Sequence, residues 1–209
     1  MRDHARELAD HVAVAQSVER LLPDLERLGT VVCDALASGG RVYTFGNGGS
    51  AADAQHLATE LIGRYLRDRR PLPAVALTVD PSAVTCIAND FSYDDVFARQ
   101  VTALAGPRDV VIGFSTSGTS PSVVAGLEAA RAAGATTVLF GGGDGGMARA
   151  HADHALLVAS KTTARIQEMH LLLLHLLSER IDAWAAGEDG LPVGAGASNS
   201  PDDRRLDAT

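Results

Sequence analysis

The stretch Arg41-Val42-Tyr43-Thr44-Phe45-Gly46-Asn47-Gly48-Gly49-Ser50 decides the fold. Its first half is a short run of β-forming residues, and its second half is a loop rich in glycine. The apolar spacing from about Ser50 to Tyr65 then predicts a helix. A strand, a glycine loop and a helix in this order make up the repeating unit of a parallel α/β sheet.

The same order of elements recurs further along the chain. Other apolar runs that predict strands lie at 74–77, 109–114, 136–140 and 155–158. A long apolar helix is expected after them, over about 163–185. Upstream, the spacing from 5 to 37 predicts a helical hairpin, or one helix that Pro23 bends. We therefore expect an α/β fold in which a parallel sheet carries helices on both faces.

Length and composition indicate one domain. The chain has 209 residues, of which 46% are hydrophobic and 21% charged, as is typical of a globular protein with a single core. We place this domain at 1–186. The remaining segment, 187–209, is rich in Gly, Pro, Ser and Asp without periodicity, and we predict that it is a disordered tail.

Charge and cysteine usage limit the partners and the compartment. The formal net charge of -8 argues against a nucleic-acid-binding protein, because such proteins need Lys and Arg to neutralise phosphates. Cys33 and Cys86 lack the spacing of a metal motif or a disulfide framework, which indicates a reducing, cytoplasmic compartment. The charged N-terminus has no apolar segment, so we expect no membrane association.

The loop after the third predicted strand is the strongest candidate for anion binding. It reads Ser115-Thr116-Ser117-Gly118-Thr119-Ser120-Pro121, so hydroxyl groups gather where the next helix begins. Helix N-termini offer free N–H groups and a favourable dipole to a phosphate. Simple N-capping by Ser117 or Thr119 is the alternative, although one hydroxyl would be enough for it. We therefore predict a phosphate-monoester site here.

The two other glycine loops carry less information. The loop Gly46–Ser50 has glycines that bring backbone N–H groups close to a ligand, but it also fits a simple tight turn, and both readings stay open. The loop Gly141–Gly146 has Asp144 as its one polar side chain. We predict that this second loop is structural.

Acid, base and metal candidates lie on two predicted helices. His56 and Glu60 are four residues apart and share a helix face, where they form either a solvated contact or a site for a metal or substrate. His175 lies among leucines, so its ring needs a structural partner, a ligand or a metal. Gln167 precedes His175 by about 12 Å of helix rise, so one metal contacts both only if the side chains lean together or another subunit contributes.

Four motifs together resemble the bacterial phosphoheptose isomerases. They are Gly46-Asn47-Gly48-Gly49-Ser50-Ala51-Ala52-Asp53-Ala54-Gln55-His56, Asn89-Asp90, Ser115-Thr116-Ser117-Gly118 and Ala164-Arg165-Ile166-Gln167-Glu168-Met169-His170. The resemblance runs from about residue 5 to 183. It implies the three-layer SIS fold, a five-stranded parallel sheet flanked by helices, with N-terminal helices used in oligomerisation. It also implies a homotetramer whose active sites lie where subunits meet.

The resemblance further implies an activity and a set of site residues. The activity is the conversion of D-sedoheptulose 7-phosphate into D-glycero-D-manno-heptose 7-phosphate through an enediol, with Glu60 and His175 as the acid/base pair. The implied zinc ligands, for one ion per subunit, are His56, Glu60, Gln167 and His175. The implied phosphate contacts are Ser115, Thr116, Ser117 and Ser120. The implied contacts to the rest of the sugar are Asn47, Gly48, Gly49, Ser50, Glu60, Asn89, Asp90 and Gln167.

Two departures and two alternatives accompany the resemblance. Thr119 stands where the family often has Asn, and Ala164 stands where an acidic residue commonly precedes Arg-Ile-Gln. A non-catalytic SIS relative that associates with the initiator DnaA shares the motif around Gln167, but it lacks the catalytic residue types found here at Glu60 and His175. An isomerase of another sugar phosphate is the second alternative.

Overall fold

The computed structural model describes residues 3–188, and within this range five strands form one sheet. The strands are β1 (Val42–Gly46), β2 (Ala74–Ala76), β3 (Val110–Ser115), β4 (Thr136–Gly142) and β5 (His154–Val158). The α-helices are α1 (His4–Ser17), α2 (Leu22–Ala37), α3 (Gly49–Ile62), α4 (Pro81–Asp90), α5 (Ala98–Leu104), α6 (Pro121–Ala132) and α7 (Thr163–Ala185). The predicted tail lies outside the described residues, except for Gly187 and Glu188.

The sheet is parallel throughout, with the order β2-β1-β3-β4-β5. Every residue of the central strands β1 and β3 is buried, as expected for strands covered on both faces. Residues of α1, α2, α3 and α7 form the core on one face, and residues of α4, α5 and α6 form the core on the other. The predicted three-layer arrangement is therefore confirmed.

The N-terminal region is a pair of helices rather than one long helix. A short 3-10 turn, Val18–Leu21, separates α1 from α2. Pro23 stands in the first turn of α2, where its missing N–H group costs no helical hydrogen bond. The buried side chains of α2 pack with those of α7, whereas α1 leaves Leu8 and Val12 exposed.

The helix predicted to reach Tyr65 ends earlier, at Ile62. The N–H groups of Tyr65, Leu66 and Arg67 donate to the carboxylate of Asp182 on α7 instead of continuing the helical ladder. Arg69 donates to the same carboxylate through Nε, at 2.8 Å. Gly63 is the C-cap of this helix, and the buried carboxylate of Asp182, from the far end of the chain, then holds the segment that follows.

Candidate active site

The candidate site lies at the carboxyl edge of the sheet, where β1 and β3 send their helices to opposite faces. Crevices of this kind are the usual ligand sites of open parallel sheets. Asn47 crosses the crevice, because its Nδ2 donates to Ser120 Oγ at 2.8 Å and to Ser122 Oγ at 2.9 Å. The hydroxyl of Tyr93 donates to Asn47 Oδ1 at 2.9 Å. The glycine loop after β1 is thus joined to the hydroxyl loop after β3.

The hydroxyl loop, Ser115–Ser120, keeps its shape through bonds to its own backbone. Ser115 Oγ accepts from the N–H of Gly118, and Ser117 Oγ accepts from the N–H of Thr119. Ser120 is the N-cap of α6, and it makes no side-chain capping bond to that helix. N-capping by Ser117 or Thr119 therefore does not explain this loop, because α6 begins with Pro121 and the N–H groups of Val123 and Val124 donate to the carbonyl oxygen of Ser120.

The loop after β4 supports the hydroxyl loop and also borders a cavity. Gly118 has a φ of 64°, and a Cβ there would lie 1.9 Å from the carbonyl oxygen of Gly145, so the two loops pack backbone against backbone. This contact agrees with the predicted structural role of Gly141–Gly146. The same loop also lines a cavity of about 450 Å³ that Thr116 and Ser117 share, and the sequence reading missed this second role.

His56, Glu60 and His175 form a cluster of three side chains, which we call the His/Glu cluster. His56 Nε2 lies 2.9 Å from Glu60 Oε1 and 3.3 Å from His175 Nε2. The ligand atoms of all three lie within 4.8 Å of one another. The first two residues come from α3 and the third from α7, so packing between these two helices assembles the cluster.

The surroundings of His175 favour its neutral form. Burial and the neighbouring His56 lower the pKa of His175, and Glu60 opposes that shift. The ring of Tyr65 stacks on His175 with centroids 5.6 Å apart. A neutral imidazole is the form that binds a metal ion or accepts a proton. The cluster is therefore suited to proton transfer or to metal binding.

Gln167 stands apart from the His/Glu cluster. Gln167 belongs to α7, and its side chain reaches the start of α3, where a Cβ on Gly49 would be 2.4 Å from the Gln167 Nε2 atom. His175 lies about two helical turns further along α7. To act as a fourth ligand, the Gln167 amide would have to leave Gly49 and lean along the helix toward His175. The eight-residue spacing in the sequence already indicated this requirement.

Asn89 and Asp90 lie at the exposed end of α4. Asn89 Nδ2 donates to Asp90 Oδ1 at 2.7 Å, and Cys86 Sγ lies 3.5 Å from Asp90 Oδ2. Among the residues from 3 to 188, these contacts do not include the other candidate site residues. Of the glycine-loop candidates, Ser50 is buried and Gly48 adopts a φ of 58° that admits glycine readily.

Sequence reasoning missed three side chains of this site. Asp53 shares the helix face of His56 and Glu60 and has a buried Oδ2 atom without a hydrogen-bond partner in residues 3–188. Burial raises the pKa of Asp53 to about 6, and His56 lowers it in part. The spacing i, i+3, i+7 could have revealed Asp53. No sequence pattern indicated Tyr65 or Tyr93, because Tyr65 contacts His175 and Tyr93 contacts Asn47 only once distant segments come together.

Comparison with known proteins gives the family. A family model for the SIS domain matches residues 8–142. The phosphoheptose isomerase of Paramagnetospirillum magneticum is 48% identical over 182 residues, which cover 87% of this chain and 95% of that protein. The chain belongs to the phosphoheptose isomerase family. The family resemblance of the four motifs is confirmed, and with it the SIS fold.

Solved structures of other phosphoheptose isomerases agree with this assignment. The enzyme of Neisseria gonorrhoeae matches with a TM-score of 0.81 and 39% identity, over 86% of this chain and 96% of its own. That of Francisella tularensis matches with a TM-score of 0.82 and 30% identity, over 85% and 95%. No helix within residues 3–188 is long and apolar enough to cross a membrane.

Proposed function

We propose that this member of the phosphoheptose isomerase family converts D-sedoheptulose 7-phosphate into D-glycero-D-manno-heptose 7-phosphate. The observation that carries the proposal is the meeting of His56, Glu60 and His175 from two helices, on a fold whose carboxyl edge also presents the hydroxyl loop. Proton-transfer groups serve the carbonyl end of the sugar, and the hydroxyl loop serves its phosphate. Neither group of residues explains the activity alone.

The reaction moves protons between neighbouring atoms of the sugar. Glu60 takes the proton from C1 of the ketose and returns it to C2 of the enediol, so one carboxylate serves both half-reactions. His175 gives a proton to the oxygen on C2 and takes one from the oxygen on C1. The phosphate stays remote from the chemistry, and its binding energy holds the two carbons beside Glu60.

Zinc fits the donor set of the His/Glu cluster. Two imidazole nitrogens and a carboxylate oxygen are ligands that zinc prefers, and their mutual spacing suits one ion. Bound there, zinc would polarise the carbonyl oxygen of the substrate as a Lewis acid. We propose one zinc per subunit, held by His56, Glu60 and His175, with Gln167 as the fourth ligand if its amide leaves Gly49. A nitrogen of His175 that binds zinc cannot also carry a proton, so metal loading and the proton shuttle compete for this atom.

Assembly into a homotetramer with shared sites is part of the proposal. Leu8 and Val12 on α1 are 64% and 46% exposed, which leaves an apolar face for another subunit. Light scattering should give a mass of about four chains. A monomer at assay concentration would remove the shared-site part of the proposal. We place the enzyme in the cytoplasm, where the thiols of Cys33 and Cys86 stay reduced.

One assay tests the function directly. Purified protein is incubated with sedoheptulose 7-phosphate, with and without a chelator, and the aldoheptose product is measured. We expect conversion of the phosphorylated sugar and little turnover of free sedoheptulose. Loss of activity with the chelator, restored by zinc, would support the metal. If no sugar phosphate is converted, the isomerase proposal fails, and binding to DnaA becomes the function to test.

A further inference from the structure

The cavity beside the hydroxyl loop lies across three neighbouring strand ends. It has a volume of about 450 Å³, which is large enough for a sugar phosphate, and the ends of β3, β4 and β5 all border it. Hydroxyl groups line both sides, from Thr116 and Ser117 on one side and from Ser160 and Thr163 on the other. This second pair of hydroxyls precedes or begins α7, and the phosphate site implied by the resemblance does not include it.

Of the residues from 3 to 188, Lys161 is the one basic side chain that lines this cavity. It is also the one lysine in all 209 residues, since the other 17 of the 18 basic residues are arginines. Lys161 is exposed and forms no ion pair with any residue from 3 to 188. Its ammonium group is therefore available to a ligand, on a flexible stem that allows it to reach into the cavity.

The negative charge near the cavity favours such a cation. The whole chain carries a net charge of -8, and Asp144 places a carboxylate on the cavity wall. Asp144 Oδ1 accepts from the N–H of Gly146 at 3.0 Å, which satisfies part of that group but leaves its charge. A phosphate dianion entering this space is repelled by Asp144, and one ammonium group on the same wall would offset that repulsion.

We propose that Lys161 is a further substrate-binding residue, whose ammonium group contacts the phosphate of the sugar opposite the hydroxyls of Thr116 and Ser117. The inference rests on the proposed phosphate site and extends it from a set of neutral donors to one with a fixed charge. It assigns Lys161 to affinity for the phosphorylated end of the substrate and gives it no part in the proton transfer at C1 and C2.

Four variants test the assignment by steady-state kinetics with sedoheptulose 7-phosphate. Lys161→Met should raise KM about 10-fold to 100-fold, because a charge-assisted bond is lost, and should leave kcat within about twofold. Lys161→Arg should keep most of the affinity, and Lys161→Glu should raise KM further. Arg108→Met is the matched control, because it removes the same charge from an exposed side chain at the amino edge of the sheet. It should leave KM unchanged.

The double variant Lys161→Met with Asp144→Asn separates phosphate contact from simple neutralisation. If Lys161 binds phosphate, KM stays high in the double variant, whereas recovery of the wild-type KM would show that the lysine only offsets Asp144. A kcat that falls while KM is unchanged would place Lys161 at the reacting carbons. Unchanged kinetics of Lys161→Met in an enzyme that is active and sensitive to Ser117→Ala would overturn the inference and leave the proposed function intact.

Chemical labelling gives a readout that does not depend on turnover. Reductive methylation modifies amines, and Lys161 and the α-amino group are the only amines that this chain presents. Peptide mass spectrometry then reports the rate at Lys161, with the α-amino group as internal reference. We expect inorganic phosphate and sedoheptulose 7-phosphate to slow methylation of Lys161 severalfold, and free sedoheptulose to leave it unchanged. Equal rates with and without both phosphates would contradict the assignment.

Discussion

The hydroxyl loop and the His/Glu cluster are built in opposite ways. The hydroxyl loop gathers its polar groups within six consecutive residues and fixes them with bonds to its own backbone. The cluster joins His56 to His175, which are 119 residues apart, and exists only while α3 and α7 pack together. Under the proposed assignment, binding of the phosphate depends on local chain geometry, and proton transfer depends on tertiary packing. Mutations should separate the two.

Glu60→Gln should have the largest effect, because it removes the basic oxygen and keeps the shape of the side chain. We expect kcat to fall by about 100-fold to 10,000-fold with KM for sedoheptulose 7-phosphate nearly unchanged. Steady-state kinetics measures this.

The matched control is Glu128→Gln, on the exposed surface of α6, which should keep wild-type activity. Metal analysis of the Glu60 variant distinguishes a base from a ligand, since loss of zinc together with activity would assign Glu60 to the metal. Full activity of Glu60→Gln would show that the cluster is not the catalytic centre.

Asp182→Asn should damage the packing on which the cluster depends. Asp182 is fully buried, and although burial favours its neutral form, the N–H donors of Arg67 and Leu66 and the side chain of Arg69 hold its pKa below the ordinary range. Loss of the charge leaves Arg69 buried without its counter-ion, which should cost about 3 to 5 kcal/mol of unfolding free energy.

Urea denaturation measures this loss. In the fraction that remains folded, kcat should fall more than KM rises, because Tyr65 and His175 shift while the hydroxyl loop does not. An equal loss in both constants would contradict the proposed independence of the two regions.

Ser117→Ala tests the local region. Removal of one hydroxyl should weaken binding of the substrate by about 1 to 3 kcal/mol and leave kcat unchanged. Inhibition by inorganic phosphate should weaken in parallel with KM. Ser38→Ala provides the control, because this serine is exposed at the end of α2, at the amino edge of the sheet. A lower kcat in the Ser117 variant would mean that the loop also orders the catalytic cluster.

The fold was largely predictable from the sequence, because most of its elements, like the hydroxyl loop, are determined by local residues. Runs such as 109–114 and the helix over 163–185 are long, apolar and bounded by turn residues, so their type was evident without tertiary information. The end of α3 was predicted about three residues too late, although Gly63 at its C-cap is a local end signal. In the candidate site, the hydroxyl loop and the pair His56/Glu60 were visible as local patterns, whereas Tyr65 and Tyr93 depend on contacts between distant segments.

The smallest effect per pH unit concerns His170, which lies beneath the loops and holds the end of β4. Its Nε2 donates to the carbonyl oxygen of Gly141 at 3.2 Å, and burial lowers its pKa from 6.5 to about 4. Below pH 6.5, His170 therefore binds a proton in the unfolded chain but stays neutral in the folded chain. As the pH falls from 6.5 to about 4, this one group should therefore lower the unfolding free energy by about 1.4 kcal/mol per pH unit.

Denaturation of wild type and His170→Gln at several pH values isolates the effect, because the difference between their slopes cancels other groups. Above pH 6.5 the two slopes should agree. Identical slopes below pH 6.5 would show that His170 is protonated in the folded state.

The side-by-side course of α3 and α7 constrains how the family can change in length. Gly49 contacts Gln167, His56 contacts His175, and Tyr65, just beyond α3, contacts Asp182. The two segments therefore contact each other in the same order along their lengths. Deletion of one residue within either helix rotates the residues that follow by about 100° about the helix axis and displaces every later contact. Insertions should therefore be better tolerated in the surface loops than between Gly49 and Tyr65 or between Gln167 and Asp182, where they would separate these paired contacts.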